Sequence, residues 1–183
     1  PYQPEGLWSE LSFASKSRTT DFYVQDTGDS LYRRSLYTFW KRTVPPPTMI
    51  LFDAAERNIC TVHRQSTSTP LQALALLNDV QFVESARFIG RRMLREGGAG
   101  RDARLAWAFR LVTGRSADVR EIAILARLYN EQHALYASDP AAAAQFNRID
   151  DAETEAALNP ADLAASTLVA LALLNHDEAV MRR

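Results

Sequence analysis

Helix start and stop signals recur from residue 69 onward, and they constrain the fold of this chain more than any other feature. At the first of them Thr69 can cap a helix, Pro70 suits its first turn, and Gln72 completes a capping box. That helix should run to about Leu77. Further helices are predicted over residues 79–96, 102–113, 118–136 and 160–174 from apolar stripes at helical spacing. The sequence therefore predicts a mainly α fold, an irregular helical bundle.

The ends of these predicted helices carry their own signals. Gly114 is placed to end one helix in the left-handed conformation, and Asp118 with Glu121 forms a capping-box-like pair at the start of the next. The short link between them predicts a helix hairpin. Asn159 with Pro160 opens the last helix, and Asn175 closes it.

The N-terminal part of the sequence has no such regularity. Residues 1–29 show no sustained period, which predicts an extended, loop-rich segment. Residues 31–42 are predicted to form a helix, although their aromatic content would also suit a strand, and the prolines at 45–47 should end it. The apolar positions on which this helix depends are Tyr32, Leu36, Phe39 and Trp40.

The chain of 183 residues is long enough for one ordinary domain, and we expect a single domain that is the C-terminal part of a larger protein. Within it we assign residues 1–48 to the extended segment and aromatic helix, and 49–136 to a helical core. Residues 137–159 lack a clear apolar stripe and are predicted to be a mobile, partly helical excursion. Residues 160–183 form the closing helix.

Charge and composition exclude several classes of partner. The 21 Lys and Arg balance 22 Asp and Glu, so the chain as a whole offers no electrostatic basis for binding nucleic acid. Its apolar runs are far shorter than the roughly 20 residues that span a bilayer. The three histidines show no zinc-ligand spacing, so no metal site is predicted.

The single cysteine, Cys60, is predicted to be a buried structural thiol, because free cysteine is among the most buried residue types. A nucleophile and base pair of Cys60 with His63 is the less favoured alternative, since no third group that would orient the base can be assigned. The catalytic residues, if there are any, are therefore unknown.

Two distant segments have nearly the same sequence, LALLND at residues 74–79 and LALLNH at 171–176. We call this similarity the internal echo. We interpret both as core helices ended by Asn, whose side chain satisfies terminal backbone groups and which tolerates positive φ. A functional meaning of the echo is the alternative.

Polar and aromatic residues are densest between Trp40 and Asp79, mostly on connecting segments. In a ligand-binding interpretation Trp40 would stack on a sugar face, and arginines would hold anionic groups through paired hydrogen bonds. Two alternatives are an Arg–carboxylate network that only fixes the connector, and a hydrolase with Asp53 or Asp79 as general base. The predicted ligand contacts are Trp40, Arg42, Asp53, Arg57, Arg64, Asn78 and Asp79.

Several motifs resemble one bacterial family. They are YRRSLYTFWKRT at residues 32–43, PPP at 45–47, FDA at 52–54 with Arg57 and Cys60, and TPLQAL at 69–74 leading to LND at 77–79. The chain resembles the planctomycete-specific C-terminal domain, a family of unknown function. One departure is His63, which stands beside Arg64 where an arginine-rich pair is expected.

The resemblance implies an exported, periplasmic or extracellular protein with upstream domains, one of which often carries a c-type haem. No cofactor is expected in this chain. By analogy with the lifestyle of such bacteria, the preferred hypothesis is binding or processing of complex, sulfated or acidic, polysaccharide. The alternative hypothesis is a structural or interaction module that packs on the upstream domains and has no site of its own.

Overall fold

A computed structural model describes residues 2–4, 6–7, 25–40, 45–55, 57, 59–148 and 158–180. The chain divides into two compact units, an N-terminal unit, Pro1–Thr67, and a C-terminal unit, Ser68–Arg183. The described residues form eight α-helices and no strand, which confirms the mainly α prediction. Organisation as one domain stays a prediction. None of the described helices is both long and apolar enough to cross a bilayer.

The predicted aromatic helix of the N-terminal unit is wrong. Two short 3-10 helices, Gly28–Tyr32 and Ser35–Tyr37, take its place, and extended backbone at Arg33 and Arg34 separates them. The stripe has helical spacing but no surface to pack on, since Leu36 is 70% exposed. Because most helical stability comes from burying an apolar face, the pattern alone does not hold a helix here.

Among the described residues of the N-terminal unit, Pro47–Leu51 form an α-helix, α1. The prolines at 45–47 were expected only to end the preceding helix. Pro47 instead occupies the first position of α1, where its missing N–H costs nothing because that group would have no partner within the helix.

The C-terminal unit consists of helices joined by short turns. Its helices are α2 Pro70–Asn78, α3 Val80–Glu96, α4 Arg101–Thr113, α5 Val119–Ser138, α6 Pro140–Phe146, α7 Pro160–Leu174 and α8 Asp177–Val180. Apart from α6 and α8, each of these helices begins and ends within two residues of the bounds predicted for it.

Both predicted capping boxes are present. At α2 the Gln72 backbone N–H donates to Thr69 Oγ1 at 3.3 Å, while the Thr69 N–H donates to Gln72 Oε1 at 2.9 Å. At α5 the reciprocal bonds between Asp118 and Glu121 are 2.8 and 2.7 Å long. Gly114 has a φ of 81° and ends α4 in the left-handed conformation, as predicted.

The core of the C-terminal unit forms around α7, which packs mainly against α3 and α5. Leu105 of α4 and Val169 of α7 are completely buried in the main apolar cluster. At Gly90 of α3 an added Cβ would lie 2.9 Å from the backbone nitrogen of Thr167, well inside van der Waals contact. Only a glycine fits there, so α3 and α7 approach closely at this point.

The predicted excursion at 137–159 contains a helix. Ala143 of α6 is completely buried, and Asp139 caps the helix by accepting from the Ala142 N–H at 3.0 Å. Asn147 is also buried and donates to the Pro160 carbonyl at 2.9 Å. Residues 149–157 lie outside the described residues, so the predicted mobility is untested.

Candidate functional site

Trp40 and Arg57, two of the predicted ligand contacts, lie together in the N-terminal unit. The Arg57 guanidinium carbon is 4.6 Å from the centroid of the Trp40 ring, so the cation covers one face of the indole. Trp40 is half-buried rather than part of a core. A sugar would therefore stack on the opposite ring face or displace Arg57.

The backbone at two predicted site residues is unusual. Among the described residues, Asp53 and Arg57 are the only non-glycine residues with positive φ, at 56° and 60°. The left-handed conformation costs a residue with a side chain about 1–2 kcal/mol. Such costs persist where the surroundings impose them, and they cluster at functional sites.

Asp53 and Arg64 close the base of a loop. Asp53 Oδ2 accepts from the Thr67 N–H at 2.7 Å and from the Thr67 hydroxyl at 2.8 Å, while Arg64 Nη2 donates to the Phe52 carbonyl at 3.0 Å. The described residues between 55 and 67 are all exposed. The loop is held at its two ends and presents its middle to solvent. This carboxylate oxygen of Asp53 is already occupied, which weakens the general-base alternative.

The remaining predicted ligand contacts are Arg42, Asn78 and Asp79. Arg42 lies outside the described residues. Asn78 and Asp79 belong to the C-terminal unit, where the Asn78 side chain donates to the Leu74 carbonyl and Asp79 Oδ1 accepts from the Gln81 N–H, both at 2.9 Å. Both side chains therefore stabilise helix ends, and their role as ligand contacts stays a prediction.

The predicted burial of Cys60 is wrong. Its thiol is exposed in the loop closed by Asp53 and Thr67, together with Ile59 and Val62, which are 75% and 104% exposed. The preference of cysteine for protein interiors reflects its small apolar side chain. The described residues of this loop are all exposed, so the loop offers no interior in which Cys60 could be buried.

A cleft of about 140 Å³ lies in the C-terminal unit, and the sequence did not predict it. Ser68, Thr69, Gln72 and Ala73 line it from the start of α2, and Asn175 and Asp177 line it from the junction of α7 and α8. Leu76 and Val180 complete its apolar part.

The internal echo is the sequence signal that could have found this cleft. Leu76 of one echoed segment and Asn175 of the other both line the cleft, and the Asn175 amide donates to the carbonyl of Ala73, the residue before the first segment, at 3.5 Å. Asn175 has a φ of −90°, so it ends α7 without the positive φ that asparagine tolerates.

An ion-pair network fixes α8, and sequence reasoning missed it. The Arg115 guanidinium bonds both oxygens of Glu121 and both of Glu178, at 2.6–3.1 Å, and lies 4.8 Å from the Phe109 ring centroid. These bonds raise the pKa of Arg115, lower the pKa of Glu121 to about 2, and lower that of Glu178. Because every oxygen is used, we assign the network to structure.

A second polar group lies where α5 meets α7. The Tyr129 hydroxyl donates to Asp162 Oδ1 at 2.8 Å, and His133 Nε2 lies 3.2 Å from the same oxygen. Burial, and then the Asp162 carboxylate, raise the pKa of Tyr129, which keeps it a neutral donor. His133 is half-buried and also stacks on the Tyr129 ring, so these contacts fix its position beside the core.

The chain is similar to a known protein family over residues 1–129. The model of the family PSD1, described as a protein of unknown function (DUF1553), matches residues 1–129, so the match ends inside α5. No curated protein and no solved structure matches the chain.

Proposed function

Since the chain belongs to the PSD1 family, whose function is unknown, we propose a function from the geometry of its own residues. The N-terminal unit binds an anionic group, a sulfate or a carboxylate, of a complex polysaccharide, and Arg57 is its principal contact. The observation that carries the anion part is the exposed Arg57, held in a left-handed conformation against the Trp40 ring. The polysaccharide part rests on the family resemblance.

The environment of Arg57 favours an external anion. Among the described residues no carboxylate lies within ion-pair distance of its guanidinium, whereas Arg92 and Arg115 of the C-terminal unit are paired with glutamates. A guanidinium stacked on an indole keeps its N–H groups pointing outward in its own plane. That planar fork matches two oxygens of a sulfate or carboxylate.

Stacking also lowers the cost of binding. A free arginine loses rotamer freedom when it is immobilised, on the order of 0.5–1.5 kcal/mol for such a side chain. The Trp40 ring restricts Arg57 before the ligand arrives. Arg64 is the second proposed contact, because it donates one N–H to Phe52 and its guanidinium carries further donors in an exposed position.

The competing proposal is a module that packs on upstream domains of the same polypeptide. It is motivated by large apolar side chains that the N-terminal unit exposes, among them Leu36, Ile59 and Val62. Such side chains mark a surface that another protein covers where they form one contiguous patch. Export of the protein and a c-type haem in an upstream domain are further parts of the proposal that rest on the resemblance alone.

The test is calorimetric titration of the full chain with sulfated, carboxylated and neutral oligosaccharides of equal length. We expect saturable binding of the anionic ligands and none of the neutral ones. Arg57→Gly should abolish it while leaving the fold intact, because glycine adopts positive φ without strain. Arg57→Lys keeps the charge but loses the fork, and should weaken binding about tenfold.

The matched control is Arg33→Gln, which removes an exposed arginine of the same unit. It should leave the dissociation constant unchanged. Equal binding by the parent and the Arg57→Gly variant would overturn the assignment to Arg57. If no oligosaccharide binds, the packing module becomes the better proposal.

A further inference from the structure

The loop between Asp53 and Thr67 carries two aliphatic side chains that the described residues leave largely uncovered. Ile59 is 75% exposed and Val62 is 104% exposed. Removing aliphatic side chains from water is favourable roughly in proportion to their apolar area. The middle of this loop, residues 59–62, therefore gains free energy in an apolar environment that can receive it.

The base of the loop is held before any partner arrives. Asp53 Oδ2 accepts from the Thr67 N–H at 2.7 Å, and Arg64 Nη2 donates to the Phe52 carbonyl at 3.0 Å. Because the base is fixed, the loop middle loses less conformational freedom on entering a new environment than a free segment would.

Positive charge flanks the loop middle on both sides. Arg57 lies two positions before Ile59, and Arg64 lies two positions after Val62, and both arginines are exposed. Among the described residues no carboxylate lies within ion-pair distance of either guanidinium, and the loop sequence sets one glutamate, Glu56, against the two arginines. Binding at a bilayer surface depends on buried apolar area and on the attraction of basic residues to anionic lipids. The loop offers both.

A bilayer suits this loop better than a protein surface does. A specific protein interface covers about 800 Å² on each partner with matched shapes, whereas two aliphatic side chains project from the loop middle. Hydrocarbon accepts such side chains without a matching shape, because the hydrophobic effect is non-directional. The chain as a whole has a net charge of -1, so the attraction is confined to the neighbourhood of the loop.

We propose that this loop docks on the surface of an anionic lipid bilayer. Ile59 and Val62 enter the outer edge of the hydrocarbon, and Arg57 and Arg64 bind lipid phosphates, whose oxygens match the guanidinium fork as those of a sulfate do. The proposal goes beyond the anion site at Arg57, because that site gives the two aliphatic side chains no role. It also differs from the packing module, in which an upstream domain covers them.

The test uses the thiol of Cys60, which is exposed in the loop middle and belongs to the single cysteine of the chain. A polarity-sensitive fluorophore attached there should shift to the blue with vesicles of equal parts phosphatidylglycerol and phosphatidylcholine, and far less with phosphatidylcholine alone. Sedimentation of the unlabelled full chain with the mixed vesicles gives the partition coefficient. Ile59→Ser and Val62→Ser should each lower it about tenfold or more, and Arg64→Gln about fivefold.

Two matched controls locate the contact. Leu36→Ser removes a side chain that is 70% exposed elsewhere in the same unit, and it should leave the partition coefficient unchanged. The same fluorophore at Ser116→Cys, on a Cys60→Ser background, labels the exposed link between α4 and α5 and should not respond to vesicles.

Failure of membrane docking is distinguishable from failure of the polysaccharide site. Ile59→Ser should leave the binding of anionic oligosaccharides unchanged, because it keeps both arginines. A partition coefficient that survives both aliphatic substitutions, or equal binding to phosphatidylcholine alone, would overturn the proposal. Absence of sedimentation with the mixed vesicles would also overturn it and would leave the aliphatic side chains to the packing module.

Discussion

The two units of this protein are stabilised in different ways. In the C-terminal unit, Leu105 and Val169 are completely buried, and the helices start at side-chain caps such as Thr69 and Asp118. Among the described residues of the N-terminal unit only Gln3 and Pro46 are buried, and hydrogen bonds between loop residues replace a core. Where capping signals and burial coincide a helix forms, and where an apolar stripe has nothing to cover it, it does not.

The sharpest test of this difference is a leucine truncation in each unit. Leu105→Ala empties a site in the apolar core, and it should lower the free energy of unfolding by about 2–5 kcal/mol. Leu36→Ala removes a side chain that is mostly exposed, and it should change that energy by less than about 0.5 kcal/mol. Urea titrations followed by far-UV circular dichroism measure both. Equal losses would mean that Leu36 is covered in solution and would remove the contrast.

A glycine pair tests close packing. Gly90→Ala would push a methyl group against Thr167 and Ser166, and we expect a loss of about 1–3 kcal/mol in spite of the higher helix propensity of alanine. Gly28 of the N-terminal unit has no neighbour within 4 Å of an added Cβ, although its φ is +57°. Gly28→Asn should therefore be nearly neutral, because asparagine tolerates that conformation. A neutral Gly90→Ala in urea titrations would contradict the close approach of α3 and α7.

Two threonines lie on either side of the boundary between the units. Thr69→Ala removes the cap of α2 and should cost about 1 kcal/mol of unfolding free energy. Thr67→Ala removes a hydroxyl that donates to Asp53 but keeps the backbone bond to the same carboxylate. It should leave the helical unfolding transition where it is. If both substitutions shift that transition equally, the two units unfold together.

Lowering the pH is expected to have the smallest effect on the free energy of unfolding. The Arg115 guanidinium lowers the pKa of Glu121 from 4.5 to about 2, so this pair stabilises the fold fully above about pH 4.5 and loses its contribution as the pH falls toward 2. Glu178 acts in the same direction. Urea titrations across this range should show unfolding free energy decreasing with acid, less steeply in Arg115→Ala. The control Arg110→Ala, an exposed arginine of α4, should keep the full slope.

The helices of the C-terminal unit were predictable because their signals are local. Thr69 with Gln72, Asp118 with Glu121, and Gly114 each act within one turn of backbone, and each appears where the sequence indicates it. The α6 helix was missed as a separate element because its buried residue is Ala143, within a run of alanines that gives little apolar contrast.

The sites were less predictable, because they depend on contacts between distant residues. The sequence drew attention to Arg57 and Trp40, but nothing in it indicated that one would cover the ring of the other. The same holds for Glu178, which is 63 positions from the arginine that binds it. The burial of Cys60 was predicted wrongly because residue type was used without knowledge of what lies beneath the loop.

The position of α7 along the chain has a consequence for how the protein is made. This helix supplies the surface on which α3 and α5 pack, yet it is translated after both of them. While the ribosome is still adding residues before 160, the apolar stripes of the earlier helices lack the helix that they mainly pack against. We therefore expect the nascent C-terminal unit to stay open, and available to chaperones, until α7 leaves the exit tunnel, and to close late in a single step.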